Sequence, residues 1–422
     1  MHSTYTQKYK VFFQKKTVRQ FAYLFSVNVI SLPLSLLTSI VITRYLGAQL
    51  YGDYKFVNSL FNVAIIICNF GFFHAGNRAL LLSKDRVKSR EYYASILIIT
   101  GILSFLMCIG LLFYAVFDSN IESKKILIPF LCVLPFGFVY LVNYCYETLL
   151  QADNQIHYLS IVRLVPKLGY LLGGIGALFY LKDFSLNKLL VVCYIYILTQ
   201  FAVYVYVIFK LKPIFKNVRE RIRELVQYNR DYGFDVYIGA LCAVGFASLT
   251  DVLISYFGTD NTGVGFYSLA LTFASPLLMI PSTMATTKYR DFSNQDKIPC
   301  RLIATTVGLS FLVMFCLWIA VPPFINLFYG NDFHSVIRLN QYICFGVLMH
   351  GLADFFNRFI AAKGKGKLLR NGSFIVGLAT LGLNILMIPK FGANGAAYAK
   401  MLSGLVYFIV IYICYRLVLK AG

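Results

Sequence analysis

The sequence predicts an all-α integral membrane protein with about twelve transmembrane helices. Three observations carry that expectation: an apolar composition, a row of apolar runs each long enough to cross a bilayer, and basic residues gathered in alternate loops. Of 422 residues, 59% are hydrophobic and 14% charged, with a mean hydropathy of +0.68. One soluble core of this size has no room for so much apolar surface.

A helix needs about 20 apolar residues to cross the hydrocarbon layer. Runs of that length occur at 21–43, 56–76, 93–117, 126–150, 159–181 and 189–209. Six more follow at 234–257, 264–286, 302–328, 336–362, 368–389 and 392–418. Gly, Pro and Lys interrupt the fifth and the twelfth.

The basic residues set the orientation. Of the 39 Lys and Arg, 28 fall on one side of this layout and 8 on the other, in phase with every alternate loop. The positive-inside rule then places both termini in the cytoplasm. The net charge of +21 does not point to nucleic acid, because the charges sit in short loops between apolar runs. The N-terminus opens polar and basic and runs into a full-length span, unlike a cleavable signal peptide. Ten Cys are scattered without a C-x-x-C pair, so they read as small buried hydrophobes.

The longest polar stretch, 210–233, divides the chain into an N-terminal lobe (1–209, spans one to six), a basic linker and a C-terminal lobe (234–422, spans seven to twelve). The pattern of Val218, Ile222 and Leu225 predicts a short amphipathic helix on the cytoplasmic leaflet. The halves carry a faint repeat. Tyr45-Leu46-Gly47 and Gly52-Asp53-Tyr54 bracket the first connection, and Tyr256-Phe257-Gly258 and Gly263 to Tyr267 bracket the seventh. Paired halves of this kind build two pseudo-symmetric lobes in many transporters.

Chemistry familiar from enzymes is missing. There is no phosphate-cradling G-x-x-x-x-G-K-[ST] and no His/Cys/carboxylate set at metal-ligand spacing. No external loop is long enough for a soluble-type active site. Transport is the leading class, and no cofactor is expected beyond coupling to H+ or Na+.

Ionisable groups inside spans are costly and tend to face a cavity or a partner. Span ten carries His350, Asp354, Asn357 and Arg358 on one helical face. They read either as an Asp354–Arg358 ion pair or as a polar stripe along a path. Span four ends in Asn143, Glu147 and Gln151. Span five holds Arg163 and Lys167 around Pro166, suited to an anionic head group or to snorkelling at the interface. Arg44 closes span one at the outer rim. Asp235 and Asp251 sit at the inner and outer ends of span seven, and Lys400 lies within span twelve. Arg44, Arg163, Lys167, His350, Asn357, Arg358 and Lys400 are the substrate-binding candidates. Asp251, Asp354 and Glu147 are the ion-coupling candidates.

Two stretches resemble a known family. Arg44-Tyr-Leu-Gly-Ala-Gln-Leu-Tyr-Gly-Asp-Tyr54 is similar to the R-x-L-G-x-x-x-[YF]-G-x-Y entry to the second span of polysaccharide flippases. Residues 384–399, Asn-Ile-Leu-Met-Ile-Pro-Lys-Phe-Gly-Ala-Asn-Gly-Ala-Ala-Tyr-Ala, look like their L-N-x-x-L-I-P-x-[YF]-G-x-x-G-A-A-x-A pattern between the last two spans. The tail of span ten, Asn357 to Lys367, is similar to the family's segment before a G-K-x-K turn. The resemblance implies an O-antigen or capsule repeat-unit flippase of the multidrug/oligosaccharidyl-lipid/polysaccharide superfamily. It implies two six-helix lobes around a central, often cationic, cavity and alternating access. It also implies a bacterial inner-membrane location, with undecaprenyl-pyrophosphate-linked glycan as cargo. A polysaccharide polymerase and a chain-length regulator are the expected partners. The alternatives are a cation-coupled multidrug exporter of the same fold and a membrane glycan polymerase. The exporter would rely on acidic cavity groups, whereas cations predominate here. The polymerase would need a long external loop.

Overall fold

A computed structural model describes residues 16–83, 85–181 and 187–421. Lys8, Lys10, Lys15, Lys84 and Lys182, which entered the orientation count, lie outside these residues. Among the described residues the chain is helical, with no strand. The helices are α1 (Lys16–Cys68), α2 (Phe72–Leu82), α3 (Arg86–Phe117), α4 (Ser119–Ser123), α5 (Leu127–Val133), α6 (Phe138–Ala152), α7 (Ile156–Tyr180) and α8 (Lys188–Leu211). They continue as α9 (Val218–Tyr228), α10 (Phe234–Ala240), α11 (Phe246–Phe257), α12 (Thr262–Ala274), α13 (Met279–Asn294), α14 (Cys300–Phe328), α15 (Ser335–Ala362) and α16 (Gly366–Ala421).

Among the described residues, eight helices are long and apolar enough to cross a bilayer, or nine if the bent pair Leu127–Phe136 and Phe138–Ala152 forms one span. Two of the eight are double. α1 has 53 residues and α16 has 56, each far longer than the ~20 that one crossing takes. Each is broken once, at Gly47 (φ 76°, ψ 177°) and Gly392 (φ 56°, ψ −133°). Both glycines lie in the motifs that carry the family resemblance, and the positive φ explains why glycine stands there. Counting the bent pair as one span, dividing both long helices and adding the interrupted stretch 234–257 gives the twelve crossings that the sequence predicts.

Several spans are less regular than periodicity suggests. Span two stops at Cys68, short of 76, because Phe70 (φ 44°) and Gly71 (φ 84°) turn the chain into α2. Span four is divided by a 3-10 turn at Leu134–Phe136 and bends by 46°. Pro135 there has no N–H to give a continuous helix. Span seven contains a π-helical turn at Leu241–Gly245, and a second one, Asn229–Gly233, precedes it. Large side chains such as Phe105, Phe117, Phe209 and Ile319 stay exposed, as expected where the surrounding solvent is lipid.

Two compact units emerge. The first comprises 1–45, 71–106 and 135–234; the second comprises 46–70, 107–134 and 235–422. These units interleave the chain and so differ from the division at 209 and 234 read from the sequence. The reason lies inside the second unit, where two connections of the N-terminal half bond to one of the C-terminal half.

The linker helix forms as α9. In the first unit it packs against α2 and is clamped to the start of α3. Arg221 lies 3.2 Å from Glu91 and 2.7 Å from Glu224, and Lys88 lies 3.2 Å from Glu224. Tyr92 donates a further hydrogen bond to Glu224. Burial works to raise the Glu224 pKa. Hydrogen bonds from Tyr92 and Lys88 and the Arg221 charge outweigh it and hold the carboxyl below its usual value.

Candidate functional site

The candidate residues fall into separate groups. In the first unit, α7 presents Arg163 and Lys167 one turn apart. Glu147 of α6 accepts a hydrogen bond from Arg163 Nε at 3.3 Å and lies within electrostatic reach of Lys167. One carboxylate thus faces two cations, which leaves the cluster a net positive charge. Asn143, one turn before Glu147, accepts a hydrogen bond from Tyr204.

In the second unit, Asp251 of α11 lines a cavity of about 240 Å³ with Thr250, Tyr267, Asn384 and Lys400. Asn384 donates to Thr250 Oγ1 at 2.8 Å. Asp251 Oδ1 is enclosed and accepts no hydrogen bond. Lys55, from the second crossing, is the nearby countercharge. An enclosed carboxylate beside hydroxyl and amide oxygens suits a small hard cation or a proton.

Lys400 reaches this cavity because two helices touch backbone to backbone. A Cβ added at Gly346 of α15 would lie 2.5 Å from Lys400 O, and one at Gly404 would lie 2.3 Å from Gly346 O. Small residues at a helix crossing allow such an approach in lipid. The same face of α15 holds a second polar group further along the helix. Tyr407 donates to Asp354 Oδ1 at 2.7 Å and accepts from Asn357 Nδ2 at 2.9 Å. The His350 ring lies 5.1 Å from the Tyr407 ring, tilted by 47°, and its Nε2 is enclosed without a hydrogen-bond partner. Lys400 lies within electrostatic reach of Asp354.

Of the two readings of span ten, the ion pair does not form: no Asp354–Arg358 contact lies within 4 Å, although Arg358 lies within electrostatic reach of Asp354. Asp354 is held by Tyr407, and Arg358 is exposed. Arg44 is exposed as well. Tyr407 was missed because a tyrosine in an apolar run reads as core.

The sequence also missed a clasp between connections. Gly52 packs so closely that an added Cβ would lie 2.0 Å from Asn261 O. Asn261 Nδ2 donates to Asp53 Oδ1 at 2.9 Å, and its Oδ1 accepts from Ser255 at 2.6 Å and from Lys124 at 3.2 Å. Lys124 also donates to the Ser255 hydroxyl at 3.0 Å. The two connections that carry the internal repeat are thus bonded to each other. The repeat itself was the only signal that could have found this.

Comparison with known proteins follows from this geometry. The family described as polysaccharide biosynthesis protein matches residues 17–289. No curated protein matches the sequence significantly. Among solved structures, the lipid II flippase MurJ in an inward closed conformation is similar with a TM-score of 0.72 at 15% identity, covering 93% of this chain and 87% of that one. An inward-facing multidrug resistance MATE family transporter of the MOP superfamily gives 0.65 at 14% identity, covering 92% and 96%. MATE in the straight conformation gives 0.60 at 13% identity, covering 96% and 95%. At these identities the likeness is one of fold.

Proposed function

Because the chain belongs to the polysaccharide biosynthesis protein family, we propose that it is a transporter, not an enzyme, that flips undecaprenyl-pyrophosphate-linked oligosaccharide repeat units from the cytoplasmic to the outer leaflet. The observation that carries the reading is the cationic group of Arg163 and Lys167, only partly offset by Glu147, inside a chain with the fold of a lipid flippase. A pyrophosphate head needs such cations. A glycan head also needs a protected path, which alternating access provides. The cargo is O-antigen or another lipopolysaccharide or capsule repeat unit. The site of action is a bacterial inner membrane with both termini cytoplasmic, beside a polysaccharide polymerase and a chain-length regulator. Asp251, with its unpartnered oxygen, serves as the coupling site for H+ or Na+, and Asp354 is the second candidate.

Deleting the gene tests this. Lipid-linked repeat units should accumulate on the cytoplasmic side; normal surface glycan in a strain without a substitute flippase sinks the idea. A second reading, a cation-coupled multidrug exporter, is favoured by the enclosed carboxylate of Asp251 and by the likeness to MATE transporters. Drug resistance on overexpression, with surface glycan unaffected by deletion, would select it.

A further inference from the structure

Lys400 stands between two carboxylates of the second unit. It lines the cavity of about 240 Å³ that holds Asp251, and it lies within electrostatic reach of Asp354. The two acids differ in what else meets them. Asp354 accepts from the Tyr407 hydroxyl at 2.7 Å, and Asn357 and Arg358 lie within hydrogen-bonding and electrostatic reach of it. Asp251 Oδ1 is enclosed and accepts no hydrogen bond.

Lys55 does not fill that gap. It is a countercharge to Asp251, but its ammonium is held over the rings of Tyr51 and Tyr54, 5.4 and 5.9 Å from their centroids. Such contacts satisfy an ammonium without a carboxylate. Among the described residues, Lys400 is the cation in the cavity wall.

Main-chain contacts fix where the Lys400 side chain starts. α15 and α16 cross so closely that a Cβ added at Gly346 would lie 2.5 Å from Lys400 O. Ser403 Oγ donates to the same carbonyl at 3.2 Å. The flexible four-carbon stem is therefore the part that aims the ammonium.

A buried ammonium and a buried carboxylate are tolerated where each offsets the other. The oxygens of Thr250, Tyr267 and Asn384 beside Asp251 would suit a small hard cation. A free ion there would share the small cavity with the Lys400 ammonium, and like charges repel strongly in an enclosed space of low dielectric. A proton needs no coordination shell and no space of its own.

We propose that the Lys400 ammonium is the resident cation of the Asp251 cavity and excludes Na+ and other free alkali cations from it. The proposal rests on the reading of Asp251 as the coupling site for its consequence: Lys400 is the residue that sets the choice of ion, leaving H+.

The test uses the full-length purified protein in detergent, with melting temperature measured in NaCl and in choline chloride at equal ionic strength. The wild type should melt at the same temperature in both. Lys400→Met keeps the stem and removes the charge, so Na+ should now raise the melting temperature in a saturating, concentration-dependent way. Adding Asp251→Asn to that variant should abolish the response. A Na+-specific rise in the wild type that Asp251→Asn removes overturns the proposal, as does a Lys400→Met protein indifferent to Na+. If Lys400→Met does not fold, Lys400→Gln takes its place, and binding of radioactive Na+ to the wild type decides alone: binding that needs Asp251 overturns the proposal, and none supports it. No glycan enters this assay, so its failure leaves the cargo reading standing. Normal surface glycan after gene deletion would reject the cargo and leave the ion preference of the cavity in place.

Discussion

Asn261 donates a hydrogen bond to Asp53 across 208 residues of sequence, at 2.9 Å. Both are buried, Asn261 fully, and Lys124 and Ser255 complete the set around the same amide. One amide therefore satisfies an acid, a hydroxyl and an ammonium drawn from three connections.

Asn261→Ala should lower stability by about 2 kcal/mol, since it leaves a buried carboxylate and a buried hydroxyl without that partner. Gly52→Ala should act on the same clasp from the other side, because its Cβ would collide with main chain that cannot swing away. Thermal unfolding in detergent checks both. Their effects should be strongly non-additive in the double variant, and simple additivity would mean that the two contacts are independent.

The α9 clamp predicts a response to pH. Glu224 has a depressed pKa in the folded protein. Its contribution is therefore present above the unfolded value, about 4.3, and is lost as pH falls through the lower folded value. Melting temperature should drop over that acidic window, and Glu224→Gln should flatten the drop. Arg221→Ala should cost about 3 kcal/mol by leaving the buried Glu91 without its cation, while Lys88 still meets Glu224. Arg221→Lys should rescue little of it, because a single ammonium cannot replace the fork.

Arg163→Gln and Lys167→Gln should each reduce transport of lipid-linked glycan roughly tenfold if the pair binds a pyrophosphate. Arg163→Lys should recover part of the loss. Inverted vesicles loaded with labelled lipid-linked repeat units measure this. Unchanged rates in both glutamine variants would remove α7 from the binding path.

Tyr407→Phe deletes one hydroxyl that donates to Asp354 and accepts from Asn357. The expected cost is about 1–3 kcal/mol, seen as a lower melting temperature. If Asp354 also couples an ion, the variant should shift the pH profile of transport, which a purely structural role would leave in place.

The positions of the crossings were legible because apolar length is a property of the sequence alone. Gly47 and Gly392 were legible for a related reason, since a glycine between two apolar runs marks a break. The cluster of Glu147, Arg163 and Lys167 came from residues that are costly in lipid wherever they point. Pairings were not legible. Spacing placed Asp354 and Arg358 on one face, but only tertiary packing brings Tyr407 to the carboxylate first. Asn261 is a short polar residue in a loop, and nothing local distinguishes it from a turn former. The π turns were hidden too, because Asn229–Gly233 and Leu241–Gly245 carry no composition that ordinary helix lacks.

The chain passes between its two compact units five times. Four of the passages fall beside backbone that leaves α geometry: the Gly47 break, the Phe70–Gly71 pair, the 3-10 turn at Leu134–Phe136 and the π turn ending at Gly233. The fifth runs through α3 without interruption at Leu106–Met107. A regular helix resists bending, whereas these four points already lack part of the ladder that stiffens it. For an experimenter placing spin labels or fluorophores, positions 30 and 60 fall in different compact units, although both lie in what the sequence presents as one lobe.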